Sequence, residues 1–364
     1  MSDRDVITMV KRSAALVPAP DPAAPKPRRR PLRAVLGALL LLAGIAAFVV
    51  AAGGRLGDAP GIVYWLVALA GLAVAYRGLG GLLRWWFGAG IDVLFWVLAA
   101  WLVLVVGSAA IAPLLPLADP SDTAASLLEP SMAGPQLFSD HPLGTNNFGL
   151  DLLSRVIFGA RASLTISVVA VAIGLAIGGT IGIIAGYRRG KFDWIVGILV
   201  NSLLAFPPLI LLLALATNLK PSVGTLLLGL SILAVPLNVR LSRAVSMQVA
   251  EREYVEAARS MGATHTRVFF RELLPNVLPS LISYSMIVVA ALIVAEASLS
   301  FLGLGIRPPE PSWGNMIAEG QQGVFEEHPH IVLVPGVALF LTVLAFNLVG
   351  ERLQARWDPR RSRL

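Results

Sequence analysis

Residues 251–279 read EREYVEAARSMGATHTRVFFRELLPNVLP, an island of charge in an otherwise apolar chain. Tyr254, Ala257, Ala258 and Met261 recur at i, i+3, i+4 and i+7, the spacing of one face of a short amphipathic helix, with Glu256 on its charged rim. Gly262 is expected to stop that helix, because glycine takes the left-handed position after a helix end without a Cβ clash. Thr264 or Thr266 can cap a second short helix through Phe270 and Glu272, and Pro275 and Pro279 lead into the next apolar run. Two short helices at an angle, with an apolar face and a charged rim, have the shape of a plug for a groove in another protein. A solvated connector between two membrane spans is the plainer reading of the same pattern.

The surroundings decide what kind of chain carries this island. Of 364 residues 56% are hydrophobic and only 14% charged, and the mean hydropathy is +0.75. That balance is too apolar for a soluble domain and predicts an all-α polytopic membrane protein. Cysteine is absent, which excludes disulfides and thiol chemistry. The formal charge of +7 does not point to nucleic acid, because the basic residues gather at the ends of apolar runs.

Eight such runs stand near 34–52, 61–76, 91–115, 162–187, 194–217, 222–242, 279–302 and 330–350. A span needs roughly 20 residues to cross about 30 Å of hydrocarbon, and most of these suffice. With the N-terminus inside, 24 of the 29 Lys and Arg residues fall on the inner side, as the positive-inside rule requires. Both termini and the stretch 251–279 are then cytoplasmic, in the plasma (inner) membrane of a prokaryote. No cleavable signal is evident, since the first apolar run comes after a long polar tail.

The expected organisation is a disordered tail over 1–31, rich in Pro, Ala and Arg, and an extra N-terminal transmembrane hairpin over 32–88. A six-span core over 89–353 and a basic tail over 354–364 complete the chain. Trp85-Trp86-Phe87 beside Arg84 reads as an interfacial anchor of the hairpin. In the outer loop DLLSRVIFGAR (151–161) reads as an amphipathic helix with Asp151 as its N-cap.

The charged stretch resembles the "EAA" cytoplasmic loop of permease subunits of ABC-type importers, on Glu256-Ala257-Ala258, Gly262 and Leu274-Pro275. HPLGTNNFGLDLLSR (141–155), GARASL (159–164), EASLSFLGLG (296–305), PSWGNM (311–316) and FNLVGERL (346–353) resemble the C-type subunit of dipeptide and oligopeptide permeases. The resemblance runs from about residue 90 onward and leaves the first hairpin uncovered. Where that family has an acid and an arginine in the outer loop, this chain has Asn146 and Leu150. The resemblance implies a six-span permease core, a homologous permease partner in a heterodimer, two cytoplasmic ATPase subunits and an extracytoplasmic solute-binding protein. It implies coupling through Tyr254, Glu256, Ala257, Ala258, Met261, Gly262, Leu274 and Pro275. It also implies no cofactor in this chain, ATP and Mg²⁺ being bound by the ATPases, and solutes that include peptides and nickel chelates.

The residues themselves carry no catalytic signature. GYRRGK (186–191) lacks the spacing of a phosphate loop and no strand precedes it, so it reads as a basic inner turn. There is no nucleophile elbow and no HExxH. The four histidines lie in three loops without metal-ligand spacing, so His141 is expected to be simply exposed. Glu296 is the acid set within an apolar run. At membrane depth it must face the bundle interior or water, as a pathway residue or as a carboxylate bonded to Ser298, Ser300 or a neighbouring helix. Beyond it Gly303, Gly305 and Pro308-Pro309 break the helix, and Trp313 suggests a re-entrant or interfacial segment. Pro207 and Pro208 are expected to kink the fifth span, since proline removes a backbone donor. The leading expectation is a non-catalytic permease subunit of an ATP-driven importer of peptides or similar solutes. The alternatives are an ion-coupled secondary transporter with Glu296 as proton carrier, and a membrane enzyme.

Overall fold

A computed structural model describes residues 31–52, 61–87, 92–136, 139–219, 222–321 and 323–357. The expected disordered tail, the hairpin linker and the last residues of the C-terminal tail lie outside them. No strand occurs among the described residues beyond an isolated bridge between Thr145 and Asp151. Contacts divide the chain into two units, one comprising 1–48 and 69–91, the other 49–68 and 92–364.

The first unit holds most of α1 (Pro31–Ala52) and α2 (Gly61–Phe87). Glycines let their backbones meet: a Cβ on Gly44 would lie 2.3 Å from the Ala75 nitrogen, and one on Gly78 would lie 2.3 Å from the Leu41 nitrogen. The Arg84 guanidinium folds back onto the Gly80 carbonyl, and Trp86 is exposed beside it.

The second unit is a bundle of α3 (Val93–Ile111), α4 (Leu152–Arg188), α5 (Gly190–Ala205), α6 (Pro208–Asn218), α7 (Val223–Ala250), α8 (Glu253–Ser260), α9 (His265–Phe301), α10 (Trp313–Ala318), α11 (Val324–Glu327) and α12 (His330–Trp357). Five of the described helices (α3, α4, α7, α9, α12) are long and apolar enough to cross a membrane, or six spans if the bent pair α5–α6 counts as one. Asp151 caps α4, its carboxylate accepting from the Ser154 N–H at 2.8 Å. The expected outer amphipathic helix is no separate element, however. It runs into the span as one 37-residue helix, widened by a π-type turn at Leu175–Gly179. At about 1.5 Å per residue it outreaches the hydrocarbon, so an end projects beyond it.

α4 lies against α7 along a glycine seam. Gly174, Gly178, Gly182 and Gly186 recur every fourth residue, and a Cβ on each would fall within 1.9–2.5 Å of α7 atoms. Small residues at this spacing let helices approach without side chains between them. The α7 hydroxyls then reach the α4 backbone, Ser242 donating to the Gly178 carbonyl at 3.2 Å and Ser246 to that of Ile183 at 3.0 Å.

The expected kink at Pro207-Pro208 is a full break. α5 and α6 meet at 82°. Two consecutive prolines remove two donors, and Phe206 before them is forced to extended backbone, with ψ 133°.

Candidate functional site

α8 has one fully buried side chain. Val255 is fully buried in a cluster with Ile183, Val268, Leu273 and Val277. Glu253 and Glu256 lie in its first turn and Arg259 in its last, each matching the helix dipole. Gly262 takes φ +81° after its end. The Gly262 N–H donates to the Arg259 carbonyl at 2.9 Å and the Ala263 N–H to that of Ala258 at 3.0 Å. These two bonds make the Schellman termination that the glycine was expected to allow.

Anchored this way, α8 turns Tyr254, Glu256, Ala257 and Met261 outward, Met261 with 82% of its surface exposed. Ala258 departs from the expected face: it is half-buried, because the Val255 side of the helix turns toward the bundle. Thr264, not Thr266, caps the next helix, accepting from the Arg267 N–H at 3.3 Å. That helix is not the separate short one expected. His265 begins α9, which continues into the span through a π-type turn at Phe269–Leu273. Pro275, exposed on this helix, has no N–H to give the carbonyl four residues back, and a widened turn there relieves the clash. Leu274 is half-buried.

Contacts that no sequence pattern signals tie this region to α4. The Tyr187 hydroxyl meets His265 Nδ1 at 3.0 Å, and the Arg259 guanidinium carbon lies 4.6 Å from the centre of the Tyr187 ring. Arg189 donates to Glu251 at 2.5 Å. α8 and the start of α9 are thus linked to the end of α4.

Farther along α9, Glu296 is fully buried and accepts from Ser300 Oγ at 2.7 Å, while Ile306 N–H donates to that same Ser300 oxygen at 3.2 Å. Ser298 bonds the Val294 carbonyl instead and is half-buried. Trp313 is fully buried and donates to the Val156 carbonyl at 3.1 Å, pinning α10 to α4. At the same end Arg155 pairs with Glu319 and also donates to the Pro120 and Pro309 carbonyls. Asn146 Nδ2 donates to Glu319 at 2.9 Å, so an amide serves where the resembled family has an acid, which would repel that carboxylate.

His141 is not simply exposed. Its Nε2 lies 3.2 Å from Glu129 Oε2 and its Nδ1 3.2 Å from Asp151 Oδ1. Burial opposes the charged ring, but its hydrogen bonds to the Glu129 and Asp151 carboxylates prevail and raise its pKa above the ordinary histidine value. Among the described residues no group of three or more His, Asp or Glu side chains is arranged to hold a metal ion.

Residues 178–363 match the model of the binding-protein-dependent transport system inner membrane component. The chain is 37% identical over 222 residues to a glutathione transport system permease protein of Pectobacterium atrosepticum, covering 61% of this chain and 73% of that one. It is 34% identical over 259 residues to a dipeptide transport system permease protein of Alkalihalophilus pseudofirmus, covering 71% and 84%. In fold it is similar to a chain of an inward-facing MetNI methionine ABC transporter, with TM-score 0.50 and 20% identity over 57% of this chain and 98% of that one.

Proposed function

The chain belongs to the binding-protein-dependent transport system inner membrane component family, and from that premise we propose that it is one permease half of an ATP-driven importer for peptides, glutathione-like compounds or similar small solutes. It performs no catalysis and holds no cofactor; ATP and Mg²⁺ sit in two cytoplasmic ATPase partners. A homologous permease completes the pathway as a heterodimer, and an extracytoplasmic binding protein delivers the solute. Six spans form the core, α1 and α2 add two more, and both termini face the cytoplasm of a prokaryotic cell.

The observation that carries this reading is the outward face of α8. Tyr254, Ala257 and Met261 are exposed apolar positions on a helix otherwise fixed by Val255. Such a face, with Glu256 on its rim, fits a groove on an ATPase. The seam of α4 and α7 then transmits ATPase closure through Tyr187 and His265. The ion-coupled alternative is less well supported, because Glu296 is fully buried against hydroxyls.

Ala257→Asp tests the docking. The permease should insert at normal level yet lose its ATPase subunits in a pull-down, with transport and stimulated ATP hydrolysis falling together. A docking hot spot is worth at least about 2 kcal/mol, or some thirtyfold in affinity. Ala257→Asp is a cleaner test than Ala258→Asp, since half-buried Ala258 also contributes to packing. Undiminished capture with normal uptake would make the stretch a solvated connector.

A further inference from the structure

Two adjoining hollows lie beside α8. One is a cleft of about 1040 Å³ lined by Tyr187, Arg188, Arg189 and Phe192 from the α4–α5 junction and by Arg259 and His265. The other is a smaller groove of about 370 Å³ that shares Tyr187, Arg188 and His265 and continues along Ile184, Phe269 and Phe270. The first is cationic and the second largely apolar, so together they match one amphiphile.

The charge is not used up internally. Glu251 occupies Arg189, and Glu256 lies at the margin. Arg188, nearby Lys191 and Arg259 have no ion pair among the described residues, Arg259 facing the Tyr187 ring instead. The backbone that presents these cations is strained. Arg189 sits at φ +54°, ψ −162°, a region ordinarily kept for glycine, and strain of this kind collects at functional sites. Phe192 and Trp194 are exposed at the start of α5, 42% and 68% respectively, as aromatic side chains are at the headgroup level of a membrane.

We propose that this pair of hollows binds an anionic phospholipid, its phosphate between Arg188 and Arg259 and an acyl chain along Ile184, Phe269 and Phe270. Basic pockets between helix ends on the cytoplasmic side take such headgroups, each nearby cation adding to affinity. Because Arg259 belongs to α8 and His265 starts α9, the bound lipid also holds the docking helix in place. The inference rests on the proposed reading that this end faces the cytoplasm.

The test uses the complete transporter reconstituted with phosphatidylglycerol in phosphatidylcholine, re-extracted in mild detergent and assayed for retained lipid by native mass spectrometry. Phosphatidylglycerol should be retained over phosphatidylcholine. Arg188→Gln with Arg259→Gln should cut that retention by an order of magnitude or more, about fivefold per cation. Phe270→Asp should lower it as well, whereas Arg307→Gln, in the loop beyond the far end of α9, should not. Arg259→Lys should restore retention, which separates loss of charge from misfolding. Undiminished retention in the double variant, or equal retention of the zwitterionic lipid, overturns the proposal. So does inorganic phosphate raising the melting temperature as much as the lipid does, which would assign the cleft to a soluble anion. ATPase capture is read on the same preparations: a normal lipid signal with Ala257→Asp failing to dock leaves the site standing, and normal docking without retention removes the site alone.

Discussion

The guanidinium of Arg155 donates to the carboxylate of Glu319 across 164 residues of sequence, with the two side chains only 1% and 10% exposed. The pair joins the first turn of α4 to the end of α10, and Asn146 completes it by donating to the second Glu319 oxygen. Glu319→Ala would strand the cation in a buried site and should cost about 3–5 kcal/mol. Glu319→Gln should cost less, since the Gln oxygen can still accept from Arg155. Replacing both partners together, Arg155→Met with Glu319→Leu, should recover much of the loss. Thermal unfolding in detergent compares the three; a Glu319→Ala protein as stable as wild type would show the pair to be dispensable.

The features legible in the sequence are those with local causes. Asp151 and Thr264 cap because a short oxygen side chain reaches an N–H three residues on, and Gly262 terminates α8 because only its own backbone is at issue. The continuity of α9 is hidden by the same logic: Pro275 and Pro279 read as a boundary, and tertiary packing of Val268, Leu273 and Val277 holds the helix together across them. Arg155 with Glu319, and Tyr187 with His265, depend on partners brought near only by the fold. The four-residue spacing of Gly174, Gly178, Gly182 and Gly186 is present in the sequence as a packing signal.

That seam gives the second prediction. At Gly182 a Cβ would meet Ser242 Oγ at 1.9 Å and the Val239 carbonyl at 2.5 Å. Backbone cannot yield as a side-chain tip does, so Gly182→Leu should destabilise by about 1–3 kcal/mol or more. Gly197→Leu, where nothing lies within 4 Å of the added Cβ, is the matched control and should not destabilise. Equal melting temperatures for both variants would refute a close-packed seam.

His141 predicts a pH dependence in the loop that precedes α4. Its folded pKa is raised, so the stabilisation is complete below the ordinary histidine value and is lost as pH rises through the folded one. Only the imidazolium can donate to Glu129 and Asp151 at once. The Thr145 amide, bonded to the Ala133 carbonyl at 3.0 Å, should exchange hydrogen more slowly at about pH 6 than at about pH 8 after correction for the intrinsic rate. His141→Gln should flatten that difference. A pH difference of wild-type size in the variant would mean that another group governs the loop.

Removal of residues 1–88 should leave insertion and transport largely intact. The family match begins only at residue 178. The cut also spares Asp92, which caps α3 by accepting from the Phe95 N–H at 3.4 Å and pairs with Arg352 of α12. Uptake by the truncated protein, normalised to its amount in the membrane, is the measurement. Complete loss in a protein that still captures its partners would give the N-terminal helices a role in transport itself.

Glu296 separates a structural role from a gate. Its Oε1 accepts from Ser300, whose oxygen in turn receives the Ile306 N–H, so the carboxylate fixes the chain where it leaves α9. Its Oε2 makes no hydrogen bond of ordinary geometry among the described residues, nor do the buried Ser163 and Ser167 hydroxyls of α4. Glu296→Gln keeps an acceptor for Ser300 and replaces the other oxygen with an amide donor for the nearby Ser163 hydroxyl. The Gln variant should therefore transport within about threefold of wild type and melt no lower, since an uncharged group suits a dry interior. Glu296→Ala, which removes the acceptor and opens a cavity, should lose about 2–4 kcal/mol. A Gln variant that folds, captures its partners and yet cannot transport would require the charge itself, and the structural role of Glu296 would have to give way to a gating or proton-carrying one.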